Sequence, residues 1–150
     1  MKNSRKILSL LVFITVFAAC STVPLTGRKQ FNIANSAEIQ QQADVAYRQF
    51  LNDPSTKVVS GTADAQRVKA VGNRIASAIE RYLSQNGYAD QYDFKWEFNT
   101  VQSKDINAWC MPGGKVAVYT GILPVTQSDA GLATVMGHEI AHAIARHTEE

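Results

Sequence analysis

The five residues His138-Glu139-Ile140-Ala141-His142 constrain this chain more than any others, because their spacing has a use only on a helix. Four residues turn a helix by about 400°, so the two imidazoles sit ~40° apart and one turn up. Both can then reach one zinc ion at about 2.0–2.1 Å. Glu139 follows the first imidazole, about 100° round, where its carboxylate can take a proton from water as the ion polarises a scissile carbonyl. The segment predicts a helix starting at a Ser128 or Asp129 cap and running to the end of the chain, with Leu132, Val135, Ile140 and Ile144 apolar. Ala133, Gly137, Ala141, Ala143 and Ala145 keep its sides thin, so neighbours can approach closely.

Two histidines do not complete a catalytic zinc site, which takes three protein ligands and keeps one position open. His147 is the remaining histidine of three. On a continuous helix it points ~180° from His138 and ~140° from His142, and it cannot close the same site. The metzincin arrangement needs a glycine to break the helix and a histidine six residues past the second ligand. Ala143-Ile144-Ala145-Arg146 offers no such break. Glu149 and Glu150 lie too far up the helix to turn back unaided. The third ligand is expected from outside these 150 residues. Ile140 and Ile144 would then lack part of their cover.

The other end reads as an export signal. Lys2, Arg5 and Lys6 precede an apolar run from Ile7 to Phe17, and Ala18-Ala19 supply the small residues a signal peptidase needs. At 1.5 Å per residue the run spans about 16 Å, short of a ~30 Å hydrocarbon core. Cys20 follows directly, and the segment resembles a bacterial lipoprotein signal, which implies acyl chains on Cys20. More than one chain anchors stably. Ser21 resembles lipoproteins sent to an outer membrane. The expected organisation is a signal peptide over 1–19, a lipidated tether over 20–35 and one domain over 36–150. Without Lys2, Arg5 and Lys6 the charge is 12 basic against 13 acidic residues, which excludes an electrostatic case for nucleic acid. Two cysteines make no disulfide framework.

Within the domain, a helix is expected from Ser36, as its cap, to Asn52, with Ile39, Ala43, Ala46 and Phe50 on one face. A second runs from Ala63 to Asn86, with Val68, Val71, Ile75, Ile79 and Tyr82 inward and its basic residues solvated. Asn86-Gly87 closes it. Alternation over Tyr92–Phe98 predicts a strand whose four aromatics form a core face. Ile106–Cys110 and Lys115–Thr120 form a strand pair joined through Met111-Pro112-Gly113-Gly114. Helices, a small sheet and a final helix make the fold class α+β. Cys110 reads as a small buried thiol rather than a zinc-regulating one. Trp109 reads as core or cleft wall.

HEIAHAIARHTEE, preceded by NAWCMPGGKVAVYTGIL and the lipoprotein leader, resembles the bacterial lipoprotein members of metallopeptidase family forty-eight. The resemblance covers about residues 36–150. It implies a zincin-like α+β fold: N-terminal helices, a small antiparallel or mixed sheet with an edge strand, then the active-site helix, the C-terminal part being absent. It implies one zinc ion on His138 and His142, with Glu139 as the catalytic glutamate and a third ligand, a glutamate, from a later helix. It also implies that an extended substrate pairs along Lys115–Thr120, beside Gly113, Gly114, Val116 and Val118. The expected function is a lipid-anchored zinc metalloendopeptidase of the cell envelope, facing the periplasm, that clears unfolded or misfolded envelope proteins. The alternative is an inactive, truncated lipoprotein that binds unfolded clients through its edge strand.

Overall fold

The computed structural model describes residues 20–23, 25–31 and 35–147; the expected signal peptide, 1–19, lies outside them. Strand β1 (Cys20–Thr22) pairs antiparallel with β2 (Lys29–Phe31), so the segment expected as an open tether contains a hairpin. Helix α1, Ser36–Asn52, has the expected span, but its cap is Asn35, whose side chain accepts the Ala37 N–H at 3.0 Å. Helix α2, Ala63–Gln85, is capped by Thr62 and ends where Asn86 and Gly87, at φ +75°, reverse the chain.

The sheet contains β3 (Val58–Val59), β4 (Glu97–Val101), β5 (Ala108–Met111) and β6 (Lys115–Tyr119), in the order β3-β4-β6-β5. β4 and β6 run parallel, and the other pairs are antiparallel. The expected strand over Tyr92–Phe98 is regular only from Glu97. Its first part is extended and tied to the β5–β6 turn, Lys95 N–H donating to Gly113 O at 2.9 Å. The alternation holds, and the Tyr92, Phe94, Trp96 and Phe98 rings stack in sequence with centroids 5.5, 4.4 and 6.1 Å apart.

One expectation fails on this strand order. Lys115–Thr120 was the strand expected to be free for a substrate, but β6 is interior, paired to β4 on one side and β5 on the other. Val116 and Val118 are 0% exposed. Period-two patterning tells which face a residue takes but not which strand lies beside it. Among the described residues, the edge on this side is β5.

A short helical turn (Thr120–Ile122) and helix α3 (Leu123–Thr126) lead into helix α4, Asp129–Ile144. Ser128 caps α4, its hydroxyl accepting the Gly131 N–H at 3.1 Å. The sheet is covered on both faces. Val68 and Val71 of α2 and Leu132, Met136 and Ile140 of α4 pack with Phe98, Val116 and Val118. On the other face Tyr47 of α1 packs with Val101 and Ala117, flanked by Phe50 and Trp109. Tyr47, absent from the expected apolar face, is its anchor: fully buried, it donates to Val116 O at 2.8 Å. Ala46 faces solvent instead, and Tyr82 of α2 is 51% exposed. Ile140, expected to lack cover, is buried at 1% exposure. Arg67 and Arg74, expected on a solvated face, reach Asp129 at 2.9 and 3.5 Å and pair with it at the α4 N-terminus.

α2 approaches β4 at Gly72, where a Cβ would lie 2.5 Å from the Phe98 ring. Phe98 is confined by its stacking on Trp96, so it cannot swing aside. Gly72→Ala gains about 1 kcal/mol of helix propensity but overpacks the core at about 1–3 kcal/mol. The expected net result is a melting temperature lowered by several degrees, measured by thermal unfolding.

Candidate active site

The rotation of α4 places its chemistry. Leu132, Met136 and Ile140, four residues apart, are all buried and hold one stripe of the helix against the sheet. His138 and His142 each follow a member of that stripe by two residues, about 200° round, and both are exposed. Glu139 precedes Ile140 and is half-buried, near enough to Cys110 of β5 for its carboxylate to act on that thiol.

The two Nε2 atoms of His138 and His142 lie 3.1 Å apart, with ring planes at 89°. Two nitrogens on a tetrahedral ion with bonds of 2.0–2.1 Å would be about 3.3 Å apart. The donor pair therefore fits a zinc ion with little adjustment. Among the described residues no group of three or more His, Cys, Asp or Glu is placed to hold a metal together.

α4 does not run to the end of the chain as expected. It stops at Ile144, and Arg146 turns at φ +54°. The cause is tertiary: the Tyr92 hydroxyl donates to Ile144 O at 3.1 Å, and the Arg28 guanidinium donates to Ala145 O at 3.2 Å. Arg146 donates to Gln91 O at 2.8 Å and lies 5.2 Å over the Tyr92 ring. His147, expected to point away, is thereby brought back until its Nδ1 lies 2.7 Å from Nδ1 of His142. It still does not share the Nε2 pair, because it meets the opposite side of the His142 ring. Arg28 and Tyr92 escaped the sequence reading, since no local pattern announces a side chain that caps a distant helix.

β5 lines this site. Tyr119 N–H donates to Asn107 O at 3.0 Å, so Asn107, Trp109 and Met111 turn their backbone groups toward β6. By antiparallel alternation Ala108 and Cys110 turn theirs outward. Gly113 and Gly114, at φ +79° and +81°, form the turn that closes the hairpin. Their carbonyls accept from Lys95 and Glu97, at 2.9 and 3.0 Å, and a Cβ on Gly114 would lie 2.6 Å from Trp96. These glycines thus join the hairpin to β4. The Cys20 side chain lies outside the described residues.

The model of Peptidase family M48 matches residues 62–150, which include β4, the hairpin and all of α4. The chain belongs to this metallopeptidase family. It is 29% identical to the mitochondrial metalloendopeptidase OMA1 of Schizosaccharomyces pombe over 134 residues, 89% of this chain and 37% of that protein. It is 25% identical to the metalloprotease YcaL of Escherichia coli over 153 aligned residues, 99% of this chain and 57% of that protein. A putative beta-barrel assembly-enhancing protease of Vibrio cholerae is 36% identical over 74 residues, 46% of this chain and 15% of that protein. The chain thus spans less than two thirds of the length of each of these relatives. Membership implies a metal cofactor. No helix among the described residues is long and apolar enough to cross a membrane.

Cys110 packs against the α4 side of the sheet. Burial first, and the Glu139 carboxylate second, push its thiol up to about 12 from an ordinary value of 9.0. The folded value lies above the unfolded one, so the neutral thiol's contribution to stability is whole below pH 9 and is lost as pH rises toward about 12. In a metal-free Cys20→Ser chain at pH 8, Ellman's reagent should find no reactive thiol until urea unfolds the protein. Prompt reaction in the folded state would contradict the burial.

Proposed function

We propose that this chain carries the zinc-binding helix and the substrate edge of a metalloendopeptidase. The observation that carries the reading is the exposed Nε2 pair of His138 and His142 at 3.1 Å, with the half-buried Glu139 next to His138 in sequence and near enough to Cys110 of β5 to act on its thiol. His138 and His142 would hold the ion; a further ligand, a glutamate, is expected from a later helix. When bound, zinc supplies Lewis-acid polarisation of the scissile carbonyl and makes water acidic enough to attack at neutral pH.

The chain's own residues do the rest. Glu139 receives the proton of the attacking water on its carboxylate and passes it to the leaving amine nitrogen. The outward N–H and C=O groups of Ala108 and Cys110 pair with an extended peptide, adding a strand beside β5. Backbone pairing gives affinity with little dependence on side chains, which suits unfolded or misfolded substrates. Removing Val116 and Val118 from the contact leaves this scheme intact, because β5, at the α4 end of the sheet order, has an unpaired side among the described residues. The lipid anchor at Cys20, the periplasmic face of an outer membrane and the role in clearing damaged envelope proteins complete the reading. They rest on the leader sequence and on relatives named as proteases, one of them for beta-barrel assembly.

Three measurements test the reading on the natural full-length protein. Zinc content should be stoichiometric, lost in His138→Ala and kept in Glu139→Gln, while hydrolysis of an unfolded protein falls about 10²–10⁴-fold in Glu139→Gln. Retained zinc with no hydrolysis in the unmutated protein would favour client binding without cleavage. In a peptide substrate, N-methylation at the residues that face Ala108 and Cys110 should cut cleavage about tenfold per lost hydrogen bond. Equal cleavage of methylated and unmethylated peptides would remove strand addition from the scheme.

A further inference from the structure

His142 makes one contact that the proposed reaction does not use. Its Nε2 faces His138 at 3.1 Å, while its Nδ1 lies 2.7 Å from Nδ1 of His147. A neutral imidazole that offers its Nε2 lone pair to a metal must carry its proton on Nδ1. That N–H needs an acceptor, or the ring is free to take the other tautomer or to rotate. We propose that His147 is a positioning residue for the metal: its Nδ1 accepts the His142 Nδ1–H and holds the ring in the tautomer and orientation that bind through Nε2. The proposal rests on the metal-binding reading above.

The placement of His147 is built rather than incidental. Continued as helix, the segment would carry His147 about 140° away from His142. The turn at Arg146 puts a non-glycine residue at φ +54°, which is uncommon and needs support. Support comes from three directions: Arg146 donates to Gln91 O at 2.8 Å and to the Ser36 hydroxyl at 3.3 Å, and its guanidinium lies over Tyr92. Tyr92 and Arg28 cap the last carbonyls of α4 just before the turn. These contacts, drawn across 52 to 117 positions in sequence, converge on delivering one imidazole to the outer nitrogen of another.

Geometry separates this role from that of a third ligand. The His147 atom that meets His142 is Nδ1, and it meets the nitrogen on the far side of the ring from His138. A metal between the two Nε2 atoms cannot use that contact. A metal-binding histidine usually gives its second N–H to such an outer partner, and losing the partner costs about 10–100-fold in affinity.

The test is zinc affinity, measured by chelator competition on the natural full-length protein and on His147→Ala, His147→Asn and His138→Ala. His147→Ala should weaken binding about 10–100-fold while the melting temperature of the metal-free protein stays unchanged, because the side chain is exposed. His147→Asn, which keeps a carbonyl acceptor, should recover most of the loss. With cobalt(II) in place of zinc, the ligand-field spectrum of saturated His147→Ala should keep its shape. Nitrogen-15 spectra of the zinc form should show His142 protonated on Nδ1. Equal zinc affinity in the unmutated protein and His147→Ala overturns the proposal. So does a cobalt spectrum in His147→Ala that reports a lost nitrogen ligand, which would make His147 a ligand. If the unmutated protein binds zinc no better than His138→Ala, the metal-binding reading falls and takes this one with it. A loss confined to His138→Ala leaves that reading standing and removes only the role of His147.

Discussion

The phase of α4 about its own axis is the constraint on which the site depends. Leu132, Met136 and Ile140 are close to fully buried, and each would cost about 2–5 kcal/mol to truncate from such a core. Three such anchors on one stripe leave the helix no freedom to roll. Everything else on the helix then has a fixed direction: His138 and His142 outward, Glu139 toward β5. Asp129 pins the N-terminal end through Arg67 and Arg74, and the caps from Tyr92 and Arg28 pin the other. The histidines can thus be exposed and still be positioned, because their orientation comes from the opposite face of the same helix.

A second constraint is the interior position of β6. Inserting it parallel beside β4 leaves its hairpin partner β5 outside, with one side unpaired among the described residues. The Gly113-Gly114 turn makes the insertion possible, because both residues take φ near +80° and Trp96 packs where a Cβ would stand. Lys115, at the start of β6, is nearly buried and donates to Lys95 O at 2.8 Å, close to the carboxylates of Asp44 and Glu97. Tyr47 ties α1 to the same strand through Val116 O. β6 is therefore held by the turn at one end and by α1 from below. β5 is paired to β6 and covered by α4 on one face and by Tyr47 and Phe50 of α1, through Trp109, on the other; no described strand pairs with its outer backbone groups, which stay available.

Elements bounded by local chemistry were legible in the sequence, and those bounded by tertiary contacts were not. α1 and α2 were read within a residue, because Asp53-Pro54 and Asn86-Gly87 stop them and polar residues cap them. The hairpin was legible from its two glycines, and the approach of the two imidazoles from the spacing of His138 and His142. Strand order was not, since alternation in Val116 and Val118 fits an interior strand as well as an edge. Tyr47 was hidden because the spacing of three and four from Ala43 to Phe50 passes through Ala46 as readily as through Tyr47, although burial with one hydrogen bond is what a tyrosine does best in a core. The N-terminal hairpin was masked by Pro24, Gly27 and its polar neighbours, which read as loop.

The end of α4 shows which effect wins when local and distant preferences conflict. Ala141-His142-Ala143-Ile144-Ala145-Arg146 is a good helical run, and propensity alone would carry it onward. Differences in propensity among ordinary residues are at most about 0.7 kcal/mol each. Hydrogen bonds from a charged group contribute roughly 1.5–3 kcal/mol each, and Arg28 and Arg146 both donate them here. Two such bonds, with the Tyr92 hydroxyl on Ile144 O, outweigh the few tenths that each further helical residue would return. The helix therefore ends where residues from the N-terminal hairpin and the segment leading into β4 reach it. Its last turn, and with it the contact of His147 with the outer nitrogen of His142, is set by distant parts of the chain.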